Sequence, residues 1–174
     1  MQRIDSVNCY AEFIEKSTTI IDYFHNLVKT DSYWLPYLGW DLKKIPREIF
    51  LKEHLLDMIN KQFLIKTAVI MRTDPYQNYR WHIDRYRGVC INMLLTPDIR
   101  SYCMFGTQKN EDNVYFSELN YEKNSFYLFN NQMMHSVINF NQHRYLFSIE
   151  FVDDKSKLSY DTVYKWCSDV GLLK

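Results

Sequence analysis

The feature that most constrains this chain is a change of apolar rhythm after Phe63. From there to residue 152 the sequence breaks into short β-prone runs: TAVIM, YRWHID, GVCINMLL, SYCMF, VYFSEL, SFYLF, HSVINF and RYLFSIEF. About eight strands at a roughly 8–12-residue spacing is the signature of an all-β sandwich or barrel. Pro75, Gly88, Pro97 and Gly106 fall in the gaps, where a missing N–H or Cβ disturbs no ladder.

Ahead of this unit, Tyr10, Phe13, Ile14, Ile20, Ile21, Phe24, Leu27 and Val28 recur at three-and-four spacing. That predicts an amphipathic helix with a break at Ser17-Thr18-Thr19. Pro46 opens a second helix striped by Leu51, Leu55, Met58 and Ile59. Between them YWLPYLGW, residues 33–40, predicts a packed loop, with a substrate lid as the alternative reading. A last short helix is predicted from Tyr160 to Val170. The expectation is therefore a mainly β chain in a single domain, 1–174: a helical brace over 1–62, a double-sheeted core over 63–152 and a helical tail over 153–174.

Composition narrows the function. The chain has 174 residues, with 21 Lys plus Arg against 21 Asp plus Glu, so no overall field would hold it on bulk nucleic acid or an acidic membrane. The first residues lack a signal-peptide core and no run is long enough to span a membrane, which predicts a soluble, cytoplasmic protein. Cys9, Cys90, Cys103 and Cys167 are scattered, which argues against a zinc cluster or a disulfide scaffold.

An H-x-[DE] triplet is common by chance in a chain with 5 His and 21 acidic residues. Yet residues two apart on a strand share a face, so His82 and Asp84 can present an imidazole and a carboxylate to one point. A third neutral ligand is available at His135, beside HSVINF. If residues 139–142 close a hairpin, His135 pairs with Leu146 and Arg144 is its diagonal neighbour on the same face. Two histidines and one carboxylate on one side of a metal leave open positions opposite, the facial arrangement of non-haem Fe(II) oxygenases. A guanidinium facing the same cavity calls for a planar anion.

This set of His82, Asp84, His135 and Arg144 resembles the 2-oxoglutarate- and Fe(II)-dependent oxygenase superfamily, whose pattern is H-x-D, a distal His and then an Arg about ten residues on. The resemblance spans roughly residues 63–152 and is carried by WHIDRYRGVCINMLL and YLFNNQMMHSVINFNQHRYLFSIEF. The aspartyl/asparaginyl β-hydroxylase and prolyl hydroxylase branches share the ordering. It implies a double-stranded β-helix, a cupin-like jelly roll, with Fe(II) on His82, Asp84 and His135. It also implies 2-oxoglutarate as cosubstrate with its distal carboxylate on Arg144, and O2 as oxidant. The implied reaction hydroxylates a C–H of a small molecule or a protein side chain and releases succinate and CO2. Asn92, on the strand after H-x-D, is the polar residue expected to assist cosubstrate binding. One departure is that the position two after the Arg, a Ser in some branches, is Leu146 here, with Ser148 farther along.

Two other functions fit the same residues. A non-catalytic jelly-roll module would use the cavity only to capture a ligand, and a cupin-type isomerase or hydrolase would keep the metal for different chemistry. Arg85 and Arg87, with Arg80, bracket the metal motif and can orient an anionic substrate, while Tyr76, Tyr79 and Trp81 can line its mouth. His25, His54 and His143 read as structural.

Overall fold

A computed structural model describes residues 5–30, 33–37, 39–110 and 113–174. Among these the chain runs through β1 (Tyr10–Lys16), α1 (Thr19–Lys29), β2 (Leu35–Tyr37), β3 (Trp40–Ile45), α2 (Arg47–Phe50) and α3 (His54–Gln62). It continues through β4 (Ile65–Thr73), β5 (Asn78–His82), β6 (Val89–Leu94), β7 (Ser101–Asn110), β8 (Asn113–Glu118), β9 (Ser125–Asn130), β10 (His135–Asn139), β11 (Arg144–Phe151) and α4 (Tyr160–Asp169). The strands form a seven-stranded sheet in the order β1-β9-β6-β11-β4-β3-β2 and a four-stranded sheet in the order β5-β10-β7-β8. Both are antiparallel, giving the expected double-stranded β-helix, or jelly roll.

The larger sheet is covered on both faces, and strand alternation sorts its residues between them. Val89, Ile91 and Met93 of β6, Phe126 and Leu128 of β9, and Phe147, Ile149 and Phe151 of β11 join one apolar core with Ile20 and Phe24 of α1, Leu55, Leu56 and Ile59 of α3, and Val163 and Cys167 of α4. Each such fully buried aliphatic or Phe side chain contributes about 1.5–3 kcal/mol. The intervening residues face the smaller sheet. There Cys90, Tyr127 and Phe129 pack with Cys9, Cys103, Phe105 and Leu119 in a second cluster. Arg144, Leu146, Ser148 and Asn92 also face that way and line a cavity between the sheets.

Several expectations change. Residues 10–16 are not the first half of a helix but the edge strand β1, with Tyr10 opposite Phe129 and Glu12 opposite Tyr127. An open sheet edge at β9 satisfies the backbone of this segment and overrides its helical spacing. The helix starts only after Ser17, where Glu53 takes over as cap: its Oε1 accepts from Ser17 Oγ at 2.6 Å, Ile20 N at 2.9 Å and Thr18 N at 3.2 Å. The segment 1–62 is thus not a purely helical brace, because β1, β2 and β3 extend the larger sheet.

The second helix is two, α2 and α3, with a break at residues 51–53. Residues 35–37 and 40–45 form a hairpin at the sheet edge rather than a loop, and Leu38 lies outside the described residues. Gly106 lies within β7 rather than in a gap.

The hairpin expected between His135 and Leu146 is absent. β10 pairs with β5 and β7, whereas β11 pairs with β4 and β6, so the chain crosses from one sheet to the other between Asn139 and Arg144.

Candidate metal centre

β5 and β10 lie side by side, and their register sets His82 directly opposite His135. The two rings stand 4.1 Å apart between centroids. β5 ends at His82, so Asp84 belongs to the loop that follows rather than to the strand. What brings it round is its own backbone amide, which donates to Asn131 O at 3.0 Å. Its Oδ1 then lies 3.3 Å from His82 Nε2 and 3.9 Å from His135 Nε2. One ligand atom from each of the three residues falls within 4.8 Å of the other two.

The rings are oriented through their other nitrogens. His82 Nδ1 is 2.8 Å from Arg80 O and His135 Nδ1 is 2.8 Å from Met133 O. A carbonyl oxygen only accepts, so each Nδ1 donates, and in the neutral ring the Nε2 lone pair is left to point at the common centre. Burial pushes the His135 pKa down to about 4, against the bond to Met133, and the neighbouring His82 lowers it further. The ring is therefore neutral at pH 7.

Burial alone would raise the Asp84 pKa. The contact with His82 and the bonded guanidinium of Arg87 outweigh it and hold the carboxyl below its usual range. Two imidazoles and one carboxylate are the donor set of a facial metal site. Burial raises the Cys90 and Cys103 pKa values to about 11, so the thiols near the site stay protonated and do not compete as thiolates.

The cavity wall across from this triad is polar in an unusual way. Eight buried side-chain polar atoms among the described residues lack a hydrogen-bond partner, and three of them belong to this wall: Arg144 Nε, Tyr121 Oη and Ser148 Oγ; a fourth, Asn131 Oδ1, sits beside Asp84 on the metal side. Arg144 is 3% exposed, and its guanidinium carbon lies 5.9 Å from the centre of the Tyr121 ring. Unpaired polar atoms are costly to bury, and clustered ones around a cavity fit a polar, anionic occupant. Asn92 also lines the cavity and accepts from Cys90 Sγ at 3.4 Å. It stands beside Ser148 in the β6–β11 ladder.

The remaining positions are mixed. Tyr79 lines the cavity edge-on to His82, with ring centroids 4.1 Å apart, and Trp40 packs on Tyr79 at 4.3 Å. Tyr76 is exposed, and Trp81 lies outside the cavity against Phe116. Arg87 lines the cavity and engages the metal motif: its Nε and Nη2 each lie 2.7 Å from Asp84 Oδ2. Arg85 is exposed and sits over the Tyr86 ring. His143 approaches Asp74 at 3.3 Å, away from the cavity.

Sequence reasoning missed Asn131, Gln132 and Tyr121. Asn131 Nδ2 donates to Asp84 Oδ2 at 2.8 Å, and Gln132 Nε2 donates to Asp84 O at 3.0 Å and Arg87 O at 2.7 Å. The same loop is backed from outside, where Lys155 N donates to Tyr86 O at 2.9 Å. Gly88 packs so closely that a Cβ there would meet Leu158 O at 2.3 Å.

No protein-family model and no curated protein matches the sequence. Solved structures do match the fold. A prolyl hydroxylase from Trichoplax adhaerens, solved with a hypoxia inducible factor oxygen degradation domain peptide, superposes with a TM-score of 0.60 at 15% identity, covering 84% of each chain. A collagen prolyl hydroxylase of Paramecium Bursaria Chlorella virus-1, solved as its 2-oxoglutarate complex, gives 0.56 at 12% identity over 80% of this chain and 93% of that one. A Pseudomonas putida prolyl-4-hydroxylase gives 0.61 at 12% identity over 83% and 92%. The chain therefore has the fold of the 2-oxoglutarate/Fe(II) oxygenases, with a three-residue cluster able to hold a metal.

Proposed function

We propose that the chain is an Fe(II)- and 2-oxoglutarate-dependent dioxygenase that hydroxylates a C–H of a small molecule or a protein side chain. The observation that carries this reading is the facing of two groups across one cavity: a His82–Asp84–His135 cluster with its ligand atoms within 4.8 Å, and a buried Arg144 whose Nε has no partner. His82 Nε2, Asp84 Oδ1 and His135 Nε2 would hold the iron. Bound there with 2-oxoglutarate and O2, it supplies the oxidising chemistry, with succinate and CO2 as co-products.

The chain's own contribution is placement. The carbonyls of Arg80 and Met133 fix both ring orientations. Arg144 orients the cosubstrate through its distal carboxylate, with Tyr121 and Ser148 supplying hydroxyls beside it and Asn92 an amide. Met71, Phe129, Val137 and Leu146 form apolar walls that keep water from the reacting centre. The prolyl hydroxylases of the same fold act on prolyl residues, and one was solved with a peptide, so a protein side chain is one substrate class in reach. The four cysteines are free and buried, as in a reducing compartment, so we place the protein in the cytoplasm. Among the described residues no helix is long and apolar enough to cross a membrane.

The test is succinate formation from 2-oxoglutarate with Fe(II) and ascorbate, together with an anaerobic titration of Fe(II) and 2-oxoglutarate followed by absorption. His82→Ala, Asp84→Ala and His135→Ala should lose both turnover and the iron-dependent band. Turnover equal to the wild type in any of them, or turnover with Zn(II) and no need for 2-oxoglutarate, would remove the proposal.

A further inference from the structure

We propose that Arg87, together with Asn131 on the same carboxylate oxygen, is a positioning residue that keeps Asp84 a one-oxygen metal ligand; this rests on the metal reading above. A carboxylate has two oxygens and binds metals through one or both. Here the oxygens are unequal. Oδ2 receives Arg87 Nε and Nη2, each at 2.7 Å, and Asn131 Nδ2 at 2.8 Å. Oδ1 faces the two Nε2 atoms of His82 and His135.

Turning Oδ2 towards the centre would break charge-assisted bonds from two side chains at once. The backbone is held as well, since Gln132 Nε2 spans the carbonyls of Asp84 and Arg87. The three-residue spacing from Asp84 to Arg87 is thus a closed loop whose two ends meet through the side chains and are tied by a third residue.

The consequence concerns room at the metal. Three single-atom protein ligands leave three positions of a six-coordinate ion, enough for a cosubstrate that binds through two atoms and for O2. An Asp84 free to bind through both oxygens would take one of them. Arg87 therefore protects the cosubstrate's place as well as the metal's.

The experiment compares wild type with Arg87→Gln, Arg87→Lys and Asn131→Leu, all anaerobic and without turnover. Fe(II) affinity is read by calorimetry, and 2-oxoglutarate affinity on the iron-saturated protein by absorption. Arg87→Gln should weaken Fe(II) binding by about 10- to 100-fold and weaken 2-oxoglutarate binding further once iron is saturating. Arg87→Lys keeps the charge but offers one contact in place of two, so it should fall between.

Asn131→Leu leaves Arg87 in place and should show a smaller loss in the same direction. It carries the test alone if Arg87→Gln does not fold. A merely structural role would lower the melting temperature and leave both affinities within about twofold of wild type in the folded variants, and that result overturns the proposal. Wild type that takes up no Fe(II), or His135→Ala that takes it up equally well, removes the metal reading itself; wild-type binding matched by Arg87→Gln and Asn131→Leu removes only the clamp.

Discussion

His135 and Arg144 reach one cavity from opposite sheets: His135 opens β10 in the four-stranded sheet, and Arg144 opens β11 in the seven-stranded one. The candidate metal ligands and the proposed anion anchor therefore occupy separate walls, and substitutions on the two walls should separate by what they weaken.

Arg144→Ala should raise the 2-oxoglutarate concentration needed for half-maximal turnover by about 10- to 100-fold, because it removes a charge-assisted pair of bonds. Fe(II) affinity should stay near the wild-type value. Steady-state succinate assays and metal calorimetry on the same preparation check both halves, and an equal loss of iron would contradict the division between walls.

The metal-free protein should lose stability as pH falls between 6.5 and about 4. His135 takes up a proton near 6.5 when unfolded but only near 4 when folded, because burial disfavours its cation. Across that window the unfolded chain binds more protons, so acidification favours unfolding, by roughly 3 kcal/mol at the lower end. His135→Leu should flatten this part of the curve. Urea midpoints at pH 7, 6, 5 and 4 for both proteins give the comparison.

Gly88→Ala should destabilise the fold by about 1–3 kcal/mol, since the added Cβ meets Leu158 O at 2.3 Å and the Lys155 Cα at 3.2 Å. Both atoms belong to the segment that backs the Asp84 loop, so a lower melting temperature should come with weaker Fe(II) binding. Thermal melts with and without Fe(II) test this.

Glu53→Ala should cost about 2–3 kcal/mol. The carboxylate is 7% exposed and accepts three bonds that start α1, so its loss strands buried donors. Denaturant unfolding by circular dichroism measures the loss, and Glu53→Gln, which keeps one acceptor oxygen, should lose less.

Much of the architecture was legible because β-strand alternation and turn residues are local properties of the chain. Val89, Ile91 and Met93 alternate with Cys90, Asn92 and Leu94 whichever neighbours they find, and His82, Asp84, His135 and Arg144 bear side chains whose chemistry limits their use. What was hidden depends on distant partners. Residues 10–16 have helical spacing and become a strand because β9 offers an unpaired edge. The hairpin drawn through residues 139–142 obeyed pairing rules, but no local signal says that β10 and β11 belong to different sheets. Asn131 and Gln132 look like loop residues until Asp84 is folded against them.

The link from Asn139 to Arg144 leaves only residues 140–143 to pass between sheets. So short a link keeps the two strands close in sequence while their partners hold them in opposite sheets, and the candidate metal cluster and the proposed anion anchor meet across one cavity with little chain between them.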